Sequence, residues 1–152
     1  MNMLAVRTAQ ASLAARIFES LKDGLGPDQA QAYLADAIAT DARCAGAAFA
    51  RLAPQAPSLA HFATVLERWR EGGALAIEDV ALAGNTLSFV VTHCAYARAY
   101  ADMGLDPELG FILSCSRDEP FAHGYSPRLS MERSQTIMQG APACLFTFTW
   151  AG

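Results

Sequence analysis

C-L-F-T-F-T-W, residues 144–150, alternates apolar and polar side chains with a period of two. Cys144, Phe146, Phe148 and Trp150 therefore share one side of a strand, and Leu145, Thr147 and Thr149 share the other. A face carrying three aromatic rings has to be buried, which calls for helices packed on one side of a sheet. Upstream, G-A-P-A at 140–143 reads as a turn and 129–139 as the strand before it, so 129–150 is expected to form a hairpin. Residues 74–83 and 86–93 are two more extended runs, joined by Gly84-Asn85 as a tight second hairpin. Between the hairpins, 95–103 (closed by Gly104) and a run opening at Asp106-Pro107 read as helices. Pro120 is expected to end or kink the second of these, because proline lacks the donor and crowds the preceding turn.

The first seventy residues carry helical spacing instead. Leu13, Ile17 and Leu21 mark the apolar side of one helix, ended by K-D-G-L-G. Pro27-Asp28 opens a second, running to about Leu52, with Tyr33, Leu34, Ile38 and Phe49 on its apolar side. A third is expected over 59–70. The fold class is α+β: N-terminal helices packed on a four-stranded antiparallel sheet built from two hairpins with two helices between them. Residues 1–152 are expected to form a single domain, with a helical part at 1–72 and a hairpin-helix-helix-hairpin part at 73–152 that carries the site.

Composition narrows the function. Of the 152 residues, 53% are hydrophobic and 17% charged, which argues against disorder. A net charge of −4 argues against a nucleic-acid partner, because the scattered arginines offer no basic surface for a phosphate backbone. The most apolar run, 34–50, is interrupted by Asp36, Asp41 and Arg43, so no membrane span is expected. M-N-M-L-A-V-R-T-A-Q at the start does not read as a secretory signal. A cytoplasmic location follows as the expectation, with Cys44, Cys94, Cys115 and Cys144 reduced and no C-x-x-C pair among them.

The chemistry gathers in the second half. L-S-C-S-R-D-E-P-F, residues 113–121, sets Cys115 three residues before Asp118, with Phe111 one turn earlier, all on one helical face. Cys94 falls where a strand passes into a helix, and Cys144 points into the core from the last strand. Three thiols would then meet between sheet and helices. Each cysteine has a plain alternative as a small buried residue. Asp118 has one too, in an ion pair with Arg117 or Arg133. A thiolate is a strong nucleophile, but an ionised Asp118 would raise a neighbouring thiol's pKa. The carboxylate suits holding a proton, orienting water or gripping an amidine nitrogen instead. His93 and His123 are the candidate bases. A closed zinc site of three cysteines and one histidine is a rival, weakened because adjacent His93 and Cys94 project oppositely from a strand.

Several of these segments, T-H-C-A-Y, L-S-C-S-R-D and M-E-R-S-Q-T-I-M-Q-G-A-P-A-C-L-F, resemble the L-2-amino-thiazoline-4-carboxylic acid hydrolase family. The matching positions are Cys94 and Tyr96; Cys115 and Asp118; Arg133 and Ile137; and Gly140, Cys144 and Phe146, over about residues 86–150. The resemblance implies a small-molecule hydrolase acting on a non-peptide carbon–nitrogen bond and opening a cyclic amidine-like ring. Water adds at the carbon between nitrogen and sulfur, giving N-carbamoyl-cysteine. Under it, Cys115 is the candidate nucleophile, Asp118 a proton shuttle or amino-group ligand, and Cys94 and Cys144 share the pocket. Tyr96, Arg133, His93 and His123 are candidate substrate contacts, Arg133 toward a carboxylate. No cofactor or metal is expected, the partner is a small-molecule substrate, and a homo-oligomer is left open. C-L-F-T-F departs from the more polar C-D-F-R-F of such relatives, which points to a different substrate. The alternative is a cytoplasmic ligand-binding or sensor protein that uses the same pocket without turnover, with or without zinc.

Overall fold

The computed structural model describes residues 2–152. Two long helices come first, α1 (Met3–Leu25) and α2 (Pro27–Ala50), hinged at Gly26, whose φ of 84° suits glycine. The Asn2 side chain caps α1 by accepting from the Ala5 amide at 2.9 Å, and Pro27 begins α2, where its missing N–H costs nothing. Short helices α3 (Leu59–Ala63) and α4 (Val65–Arg70) lead to β1 (Leu75–Ala83) and β2 (Thr86–Cys94). Then come α5 (Ala95–Asp102), α6 (Pro107–Leu113), a 3₁₀ turn at Cys115–Arg117, α7 (Asp118–Tyr125), β3 (Leu129–Arg133), a second 3₁₀ turn at Ile137–Gln139, and β4 (Cys144–Trp150). The four strands form one antiparallel sheet in the order β1-β2-β4-β3. The fold is the expected α+β arrangement of helices on a four-stranded antiparallel sheet.

The inner face of that sheet carries the alternation seen in 144–150. Phe146 and Phe148 are buried with Leu87, Phe89 and Val91, while Leu145 is exposed on the outer face. Phe89 stacks on Phe146 at 4.8 Å between ring centroids, and Phe62 of α3 meets Phe148 edge-on at 5.0 Å. The first contact joins β2 to β4 and the second fixes α3 to the sheet; buried rings of this kind are among the largest contributors to such a core.

Four local expectations are corrected. The second inter-hairpin helix breaks at Ser114, upstream of Pro120, and resumes as α7 with Pro120 in its first turn. One continuous helix would need a Pro120 N–H for the Ser116 carbonyl, and the break removes that demand. The run 129–139 is strand only to Arg133 and ends in a 3₁₀ turn. On α1, Leu13 and Ile17 are 62% and 48% exposed, and the packed side is Ala11, Ala14, Ala15 and Phe18. Small residues let α1 and α2 approach closely, so the alanines rather than the larger apolar side chains define the buried stripe. Tyr33 of α2 likewise faces out, at 63% exposure.

Helices α2 and α7 cross with their backbones in close approach. A Cβ added to Gly46 would stand 2.0 Å from the Phe121 carbonyl oxygen, and one added to Gly124 would stand 2.1 Å from that of Arg43. The two glycines interlock the helices backbone to backbone, which sets Asp118 and Phe121 of α7 against the wall made by α2.

Candidate functional site

Between the inner sheet face and helices α1, α2, α4 and α7 lies a cavity of about 490 Å³. Its walls are chiefly apolar: Phe49, Trp69, Phe121, Val91 and Phe146 contribute rings and a branched side chain. The polar groups converge from separate elements. Cys94 comes from the end of β2, Tyr96 from α5, Cys115 from the 3₁₀ turn, Asp118 from α7, Arg133 from β3 and Cys144 from β4. Arg7 of α1 and Arg117 also reach it.

Asp118 and Arg133 form the polar centre. Arg133 Nη1 donates to Asp118 Oδ2 at 2.5 Å and to the Cys115 carbonyl at 3.1 Å. The Arg133 side chain is only 7% exposed, and its guanidinium lies over the rings of Phe111 and Phe146, at 5.5 and 5.2 Å from their centroids. Burial pushes the Asp118 carboxyl up to about 6, although Arg133 pulls in the other direction. A carboxyl in that range is mostly ionised at neutral pH yet takes up a proton at little cost, which suits acid–base work.

The thiols behave differently. Burial raises the pKa of Cys115 strongly, and the Asp118 charge raises it further. Burial also raises those of Cys94 and Cys144. All three are therefore neutral thiols at physiological pH. Cys94 Sγ accepts from the Ala97 amide at 3.4 Å as the cap of α5, and Cys144 Sγ accepts from the Ile137 amide at 3.2 Å. Cys44 lies elsewhere, exposed on α2.

The histidines do not join this cluster. His93 and His123 are exposed and lie outside the cavity lining. For His93 the reason is a bulge: Ala76 pairs with His93 and Ile77 with Val91, so Thr92 is an extra residue on β2. That single insertion reverses the alternation, turning His93 outward and aiming Cys94 into the cavity. His123 sits on the solvent side of α7. Among the described residues, no group of three His, Cys, Asp or Glu side chains is arranged to hold a metal ion. No described helix is long and apolar enough to cross a membrane.

Three cavity arginines, Arg7, Arg68 and Arg117, were not legible as site residues. Arg117 is buried and pairs with Asp41 of α2 rather than with Asp118. Arg7 falls on the stripe 7, 11, 14/15, 18 that α1 buries; read as the packed face, that stripe marks Arg7 as a charge turned inward. The departure C-L-F-T-F also finds its place. Leu145 is exposed and Thr147 shares its outer face, so these two positions do not touch the cavity.

The family model for L-2-amino-thiazoline-4-carboxylic acid hydrolase matches residues 6–148. The chain belongs to this family. No curated protein matches it. Among solved structures, the phenol-responsive sensory domain of the transcription activator PoxR, determined with phenol, is similar in fold, with a TM-score of 0.54 at 13% identity. That likeness covers 92% of this chain and 73% of the other. The family match spans α1 as well as the second half, so Arg7 and Arg117 fall within it alongside Cys94, Cys115, Asp118, Arg133 and Cys144.

Proposed function

We propose that this member of the family is a hydrolase that adds water across the carbon–nitrogen double bond of a small cyclic amidine such as 2-amino-thiazoline-4-carboxylate. The observation that carries the proposal is the Asp118 carboxyl, tuned by burial to about 6 and held by Arg133 at the wall of the cavity. Ionised Asp118 takes a proton from water while the water oxygen bonds to the ring carbon. Protonated Asp118 then gives that proton to the ring nitrogen, whose double bond to carbon has become single. As the tetrahedral adduct collapses, the hydroxyl proton passes to Asp118 and on to the departing sulfur. The carbon–sulfur bond breaks and N-carbamoyl-cysteine forms with a free thiol.

Water, rather than Cys115, is the nucleophile in this scheme. Burial and the Asp118 charge hold the Cys115 thiol protonated, so little thiolate exists to attack. Arg133 is a positioning residue, since its Nη1 is engaged by Asp118 and the Cys115 carbonyl. Cys94, Cys115 and Cys144 serve as neutral walls, and Tyr96 borders the ligand beside Cys94.

The largely aromatic and aliphatic lining supports a second reading, in which the cavity binds a small aromatic or heterocyclic ligand without turnover. Thiol release from L-2-amino-thiazoline-4-carboxylate separates the two. The hydrolase reading expects release by the wild type, loss of about a hundredfold or more in Asp118→Asn, and retained release in Cys115→Ser. Binding with no release by folded wild type sinks the hydrolase reading and leaves the second.

A further inference from the structure

The charged groups around the cavity are unevenly matched. Asp118 and Arg133 match one charge to one, joined through Asp118 Oδ2 and Arg133 Nη1; among the described residues, Asp118 Oδ1 and the Nη2–Nε edge of Arg133 have no hydrogen-bond partner. The Asp41 carboxylate serves two arginines at once: it hydrogen-bonds Arg117, and stands 3.7 Å from Arg7 Nη1. Two guanidinium groups thus share one carboxylate, and the closer contact belongs to Arg117. Arg7 Nη1 also donates to Gln10 at 2.9 Å. Among the described residues, Nη2 and Nε of Arg7 have no hydrogen-bond partner, while the side chain is only 22% exposed and lines the cavity. Arg68, the remaining arginine on the lining, lies exposed over the Phe49 ring, where solvent screens it.

We propose that Arg7 is the residue that selects an anionic ligand, gripping its carboxylate through the unused edge of the guanidinium. A planar guanidinium offers a carboxylate two parallel donors, and a half-buried one does so with little screening. Burial and the neighbouring Arg117 charge both oppose the charge on Arg7. An incoming anion relieves that opposition, as Asp41, already drawn to Arg117, does only in part. Arg7 stands on α1, whereas Asp118 stands on α7, so recognition of the carboxylate and proton transfer come from different elements. The inference deepens the hydrolase reading by naming what holds the acid group of its substrate, and reassigns that task from Arg133 to Arg7.

Its test needs no turnover. Benzoate and benzamide share shape and differ in charge, and both suit an aromatic-walled cavity of about 490 Å³. Wild-type protein is expected to bind benzoate about tenfold or more tighter than benzamide by calorimetry. R7Q should bring the two to parity with benzamide affinity unchanged, and R7K should keep part of the preference. D41N, at a carboxylate 62% exposed, should widen the preference by freeing Arg7 further, and it carries the test if R7Q fails to fold. A benzoate preference that survives R7Q overturns the inference. So does a wild type that binds neither compound or both equally, or a preference that D41N leaves unchanged or narrows. Discrimination through Arg7 without thiol release from the thiazoline acid would fell the hydrolase reading alone.

Discussion

Replacing Gly46 with alanine should loosen the site by parting the helices that frame it. The new Cβ would lie 2.0 Å from the Phe121 carbonyl oxygen and 2.8 Å from the Tyr125 nitrogen, where real contacts stay beyond 3.0 Å. Both obstacles are backbone, so no side chain can swing aside, and α2 and α7 must separate by about 1 Å. Overpacking of this kind costs up to about 3 kcal/mol, and alanine returns about 1 kcal/mol of helix propensity over glycine. A net loss of about 2 kcal/mol lowers the melting temperature of a chain this size by about 4–8 °C. Because α7 carries Asp118 and Phe121, turnover should fall as well; misplacing reacting groups by about 1 Å costs up to a hundredfold. Gly24 is the control: it lies in α1 with open space around its Cβ position, so Gly24→Ala should hold or raise stability. Thermal melts of the two variants decide the matter. A Gly46→Ala protein as stable as wild type would refute the interlocked crossing and the wall built on it.

Three further outcomes follow from the thiols, the carboxylate and the pair that holds it. Alkylation by iodoacetamide near neutral pH, read by peptide mass spectrometry, should label exposed Cys44 first and Cys94, Cys115 and Cys144 at least about tenfold more slowly; early labelling of Cys115 would contradict its protonated state. The Asp118 carboxyl rises from an ordinary 3.8 to about 6, so the folded chain binds that proton more tightly than the unfolded one. Its contribution to stability is then fully present below about pH 4 and is lost as pH rises to about 6, a change of about 3 kcal/mol. Urea unfolding of wild type against Asp118→Asn across that window should show the mutant gaining on the wild type as pH rises; a constant difference would count against the raised carboxyl. Arg133→Gln removes the cation that pulls the carboxyl down, so its titration, followed by carbon NMR, should move to higher pH; an unmoved midpoint would deny the pairing.

The final strand was legible because one of its faces is buried: Cys144, Phe146 and Phe148 point inward as the alternation of 144–150 requires. The break near Pro120 was legible in cause but not in place, since a proline forbids one hydrogen bond without choosing where the helix yields. His93 was misplaced for a different reason. One extra residue at Thr92 reverses the strand's two sides, and no residue type in T-H-C-A announces that bulge. On α1 the larger apolar residues misled, because close helix packing selects alanine and leaves Leu13 and Ile17 outside. Reading the wrong face hid Arg7. The cluster of Cys94, Cys115, Asp118, Arg133 and Cys144 was visible as a set of spaced motifs, but its charge balance depends on Asp41, supplied by a helix with no marked chemistry of its own.

The central claim is that a carboxyl, and not a thiolate, drives the reaction. The pH dependence of kcat/KM for thiol release from L-2-amino-thiazoline-4-carboxylate, in wild type and Cys115→Ser, tests it most directly. The account predicts a rate that rises with pH through a midpoint near 6, matching the Asp118 carboxyl, with the same midpoint in the serine variant. A rate that instead climbs above pH 8 and disappears in Cys115→Ser would contradict it.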